Sequence, residues 1–69
     1  MERFSNIEAE RSRNGLSRTD LSEKLGVSTT TYKRYVDGIS PIPSDKIIFM
    51  ARTFNCSTDY LLGISNERI

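Results

Sequence analysis

Thr29, Thr30, Lys33 and Arg34 are the side chains in this sequence best placed to do chemistry together. Set at 100° steps on a helix, Thr30 and Arg34 share one face with Lys33 beside them, and Thr29 and Thr31 flank the helix start. Tyr32, Tyr35 and Val36 make the opposite, apolar stripe. Short hydroxyls followed one turn later by two cations suit the recognition of nucleic acid. The major groove of duplex DNA admits one α-helix, and side chains near its N-terminus reach the base edges. Thr29 and Thr30 are short enough for close approach, with hydroxyls that donate or accept and methyls that can meet a thymine methyl. Arg34 has the length and planar fork to bind guanine O6 and N7 together. A solvated polar surface uses the same residue types, so the meaning of this face depends on the elements that hold it.

Other chemistries lack their parts. The chain has no His, and its single Cys56 has no imidazole partner. The glycines stand alone at predicted helix ends, so no phosphate-cradling loop is visible. The carboxylates fall on predicted solvated faces and helix starts, where they act as caps and solubilisers. The chain is therefore read as non-enzymatic, with no catalytic residue, metal, cofactor or small-molecule ligand. No apolar run approaches the roughly 18 residues that span a bilayer, and the charged N-terminus lacks a signal-peptide core, so no membrane is expected. A lone Cys forms no internal disulfide, which suits a reducing cytoplasm.

The elements that must position the polar face are two short helices over residues 18–38. Ser17 and Asp20 have capping-box spacing ahead of the apolar pair Leu21 and Leu25. Gly26 ends that helix, Val27 is a buried plug, and Ser28 at once caps a second helix running to about residue 37. So short a connection forces a steep crossing, the geometry of a helix-turn-helix. A first helix is expected over residues 3–13, with Phe4 and Ile7 inward and Asn14-Gly15 at its end. After Gly38, Pro41 and Pro43 stiffen a loop whose free N–H groups at Ile39, Ser40 and Ile42 either meet a phosphate or merely redirect the chain. Ser44 caps a fourth helix with Ile47, Met50, Ala51 and Phe54 inward. Ser57 caps a fifth that carries Tyr60, Leu61 and Leu62 and ends at Gly63. The fold class is all-α, a compact bundle of five short helices in a single domain over residues 1–69.

In order and spacing these pieces resemble the helix-turn-helix of the bacteriophage repressor/Cro family, also called XRE-like. Gly15-Leu16-Ser17, Leu21, Leu25-Gly26-Val27-Ser28 and Tyr35-Val36-Asp37-Gly38 stand where that family has its GLS, apolar, LGVS and Y-E-N-G elements. Pro43-Ser44 and the run from Ser57 to Gly63 match its usual ending, so the resemblance covers roughly residues 7–63. It implies a lambda repressor-like DNA-binding domain with base contacts at Thr29, Thr30 and Arg34. Lys33 would lie on the DNA backbone. Arg18 stands where the family often has a phosphate-bound Gln, and an Arg there would make a charge-assisted contact. Ser28, Thr31, Ile39 and Ser40 complete the candidate backbone contacts, although Ser28 is needed first as a cap. The implied function is a sequence-specific transcriptional regulator of the repressor/Cro type. It would act as a homodimer on a two-fold site of double-stranded DNA with half-sites about 34 Å apart. The setting would be the cytoplasm and nucleoid of a bacterial host. Little chain follows Gly63, which fits a small Cro-like regulator or a domain of a longer protein.

Four features depart from that pattern. Val36 replaces the Glu that often pairs with an Arg on the first helix, so Arg11 turns either to Glu8 or Asp37, or out to water. Asp37 replaces an Asn. Phe49 points outward where the family commonly has a polar residue. It is either covered by the tail, through Ile64 or Ile69, or forms a dimer or partner contact with Ile64. The net charge is only +1. Arg18, Lys33 and Arg34 lie within the two-helix unit, but so do Asp20, Glu23 and Asp37, while Glu2, Glu8, Glu10, Asp45, Asp59 and Glu67 lie outside. Weak non-specific affinity and modest salt dependence follow. These departures support a competing reading: a protein-binding module, such as an antitoxin or mobile-element accessory protein, built on the same fold.

Overall fold

Local devices set most of the helix ends among the described residues. In a computed structural model that describes residues 3–69, and so leaves Glu2 outside the described residues, the helices are α1 (Ser5–Arg13), α2 (Arg18–Leu25), α3 (Thr29–Val36), α4 (Ser44–Phe54) and α5 (Thr58–Leu61). At the start of α2 the Ser17 hydroxyl accepts the Asp20 N–H and the Asp20 carboxylate accepts the Ser17 N–H, both at 3.0 Å. Two otherwise orphaned first-turn donors are thereby satisfied. Gly26 ends α2 at φ 72°, a left-handed conformation that costs glycine little. Ser57 caps α5 by accepting the Tyr60 N–H at 3.0 Å.

Two helix starts differ from expectation. α1 begins at Ser5 rather than residue 3, because Phe4 leaves helical geometry to donate its N–H to the Val36 carbonyl at 2.8 Å. That bond ties the entry of α1 to the end of α3 while the Phe4 ring packs against the core. In α4 the cap position belongs to Pro43, not Ser44, and no side chain caps the helix. Pro43 is extended, and its carbonyl already accepts from Lys46 and Ile47, so Ser44 is the first helical residue.

The core is the sum of the inward stripes. Ile7, Leu21, Tyr32, Met50 and Leu61 are fully buried, joined by Leu25, Val36, Ile47, Ala51 and Phe54. Leu16, Ile42 and Leu62 close its margins, as does Val27, which is partly buried rather than a sealed plug. No helix among the described residues is long and apolar enough to cross a membrane.

Glu10, expected in solvent, is 1% exposed. Arg68 grips it from the far end of the chain, with Nε and NH2 donating to its two oxygens at 2.9 and 2.8 Å. The Tyr60 hydroxyl and Arg13 also reach it, each at 3.3 Å. A carboxylate this deep is tolerable only when it is paired. Arg68 also donates to the Phe54 carbonyl, and Ser57 donates to the carbonyls of Glu67 and Arg68. Residues 67 and 68 are thus strapped across α1, α4 and α5.

The hydrogen bonds from Arg68, with its charge, outweigh burial and hold the Glu10 carboxyl below its ordinary 4.5. The carboxyl binds a proton less readily in the folded state. Its contribution to stability is therefore complete above the unfolded value and is lost as pH falls through the folded one. Thermal unfolding should show a Tm that is level above about pH 5 and falls progressively below about pH 4.5. Glu10→Gln should lower the Tm at neutral pH by roughly 5–10 °C and make the acid limb shallower. Acid limbs of equal depth in the two proteins would rule Glu10 out as their origin.

Candidate nucleic-acid interface

The outer face of α3 is set by what its inner face buries. Tyr32 is 0% exposed, Val36 4% and Tyr35 7%, so the helix cannot rotate without exposing two aromatic rings. Thr29, Thr30, Lys33 and Arg34 are left exposed, with Thr31 at the margin. Ser28 starts the helix. Its hydroxyl accepts the Thr31 N–H at 3.1 Å and also lies 3.0 Å from the Thr31 hydroxyl, so both hydroxyls are committed to the cap before any ligand arrives.

The three cations read from the sequence differ in how free they are. Lys33 Nζ sits 2.7 Å from Asp37 Oδ2, one turn along α3. Arg18, the first residue of α2, has Nε 2.7 Å and NH2 2.6 Å from Glu8 Oε1. Arg34 has no carboxylate within ion-pair reach among the described residues; its Nε donates to the Ser40 hydroxyl at 3.2 Å. Arg34 is therefore the least compensated charge on the face.

The loop after α3 is more committed than its sequence implied. The N–H groups of Ile39 and Ser40 are not free, since both donate to the Arg34 carbonyl, at 2.9 and 3.2 Å. With Gly38 at φ 74°, the loop folds back on the end of α3 and satisfies carbonyls the helix would otherwise leave open. The Ser40 hydroxyl, held at Arg34, and the half-exposed Ile39 side chain are what this loop presents.

Sequence reasoning offered Glu8 only as one possible partner of Arg11 and missed its bonds to Tyr32 and Arg18. Rather than facing solvent, it accepts from Arg11 Nε at 2.6 Å and the Tyr32 hydroxyl at 2.9 Å on Oε2, and from Arg18 on Oε1. Arg11 thus takes the Glu8 alternative, and its NH1 donates to the Leu16 carbonyl at 2.6 Å. Burial pushes the Glu8 carboxyl up, but the hydrogen bonds from Arg11, Tyr32 and Arg18 together outweigh it and hold the group below its ordinary range. Burial and the Glu8 carboxylate raise the Tyr32 phenol, so it stays a donor. The available signal was position: Glu8 lies one helical turn beyond Phe4 and one turn before Arg11, on the inner edge of α1.

Phe49 and Ile48 lie apart from this face, on α4. They are 39% and 43% exposed. Ile69 lines a shallow groove with Ile48, Ala51 and Cys56, and Ile64 is 73% exposed.

The helix-turn-helix family matches the chain over residues 7–61. An uncharacterized HTH-type transcriptional regulator of Bacillus subtilis (strain 168), YobD, is 33% identical over 52 residues, covering 75% of this chain and 46% of the relative. The chain thus spans about half the length of that curated relative. No solved structure shows significant similarity.

The cap at Ser28 can be tested without any ligand. Ser28→Ala should cost about 1 kcal/mol in urea unfolding, and Ser28→Asp should recover most of it, because Asp caps comparably. An unchanged midpoint for Ser28→Ala would show that α3 is started by packing alone.

Proposed function

The chain belongs to the XRE-type helix-turn-helix family, and from that premise we propose a sequence-specific regulator of transcription, of the repressor/Cro type, that inserts α3 into the major groove of double-stranded DNA. The observation that carries this reading is the fixed orientation of α3. Three buried side chains turn outward a face of short hydroxyls and a guanidinium that has no carboxylate partner among the described residues. Similarity to an HTH-type transcriptional regulator supports the same class.

In this reading Thr29, Thr30 and Arg34 read base edges. Arg18, Lys33, Thr31 and Ser28 contact the backbone, with the Ser40 hydroxyl and the Ile39 side chain contributing from the loop. The domain measures 29 × 27 × 20 Å, less in its longest direction than one turn of duplex, ~34 Å. Two copies on adjacent half-sites therefore fit a two-fold operator, and the exposed Ile48 and Phe49, with Ile64, are the surface we assign to their contact. The working place of such a protein is the nucleoid of a bacterial cytoplasm. The same apolar surface supports the competing reading of a protein-binding module, which requires no response of α3 to DNA.

Binding-site selection from random duplexes distinguishes these readings. The native chain should enrich a defined sequence. Arg34→Ala should lose about 1–3 kcal/mol of discrimination at one base pair and relax specificity there. An unchanged preferred sequence in Arg34→Ala would remove Arg34 from base readout, and no enrichment by the native chain would favour the protein-binding module.

A further inference from the structure

Glu8 stands at the back of the proposed DNA face, in a groove shared with Arg3, Ser5, Arg11, Arg18 and Asp37. Its two oxygens serve different masters. Oε2 is spent inside the fold on Arg11 and Tyr32. Oε1 faces outward and takes both Nε and NH2 of Arg18, whose side chain remains 52% exposed. A guanidinium carries five N–H donors, and this grip takes up the Nε–NH2 edge of Arg18, an edge that could otherwise meet an anion. A carboxylate oxygen accepting from one side of an arginine also has the same charge and similar geometry to a phosphate oxygen.

We propose that Glu8 competes with DNA for Arg18, holding the guanidinium at the start of α2 as an internal stand-in for the phosphate that must displace it. This rests on the DNA-binding reading above and specifies how that site is regulated. Before binding, Arg18 is ordered rather than searching rotamers, and its charge is hidden from the non-specific field of DNA. On binding, Arg18 exchanges one anionic partner for another. The carboxylate it leaves keeps Arg11 and Tyr32, so the fold survives the exchange. The thermodynamic signature lies in salt dependence. A free Arg that neutralises a phosphate releases about 0.9 counterion, whereas one that abandons a carboxylate leaves an anion that recruits a cation in return. Arg18 in the native chain should thus contribute much less than a full phosphate contact to the salt slope.

The test is fluorescence anisotropy with a generic 20-base-pair duplex across a salt series, on the native chain, Glu8→Gln, Arg18→Ala and the double variant. Glu8→Gln should bind about fivefold more tightly at low salt and steepen the log–log slope by about 0.9, and Arg18→Ala in that background should abolish both gains. A Glu8→Gln slope equal to the native one, or a full-contact loss of slope for Arg18→Ala in the native background, would overturn the proposal. If Glu8→Gln does not fold, the Arg18 Nε–H resonance of the native chain decides. It should shift on adding DNA as its partner changes, and an unmoved resonance in the bound state would count against the exchange. Absence of binding by every folded variant would instead sink the DNA-binding reading itself.

Discussion

The outer face of this protein depends on how little chain separates α2 from α3. Gly26, Val27 and Ser28 are all that lie between them. Each is committed: Gly26 to a left-handed turn, Val27 to a backbone bond from its N–H to the Ser22 carbonyl and to packing on the core, and Ser28 to the cap of α3. Close approach of the two helices is eased by Ser22, which is 1% exposed and turns its hydroxyl back onto the Arg18 carbonyl at 2.6 Å. With the turn fixed, burying Tyr32 and Val36 determines which residues of α3 face outward. No separate feature is needed to aim Thr29, Thr30 and Arg34.

A second layer of order comes from carboxylates. Glu8 and Glu10 both act as hubs on α1, one toward the two-helix unit and the other toward α5 and the strap. A domain of this size buries a limited apolar core. Partly and fully buried ion pairs add less net stability than apolar packing would, but they are costly to break and fix which groups meet. The arrangement ties α1 to α2 and α3 without the family's usual carboxylate on α3, since Val36 spends its side chain on the core and its carbonyl on Phe4.

What could be read from sequence was what residues decide locally. Ser17, Ser28 and Ser57 cap as their positions predict, Gly26 and Gly63 adopt positive φ, and the stripes on α3 and α4 are buried to the residue. The carboxylate hubs that escaped were decided at a distance. Glu10 lies one turn beyond Ile7, which marked its face as inward, but its partner is 58 residues away and no local pattern points to it. The same holds for Glu8 and Tyr32, 24 residues apart. Ser44 looked like a cap because Pro43 offers no side-chain acceptor, yet the extended Pro43 backbone performs that task. The amides of Ile39 and Ser40 looked free because the return of the loop onto the Arg34 carbonyl depends on Gly38, not on their own identity.

The central claim is that α3 is the surface that meets DNA, and an NMR titration of the labelled protein with a generic duplex at low salt addresses it most directly. The account predicts amide shifts concentrated at Arg18, across residues 28–34 and at Ile39 and Ser40, with α4 unmoved except near Phe49. Shifts scattered over the surface, or confined to the Ile48 and Phe49 face, would contradict it and direct attention to a protein partner.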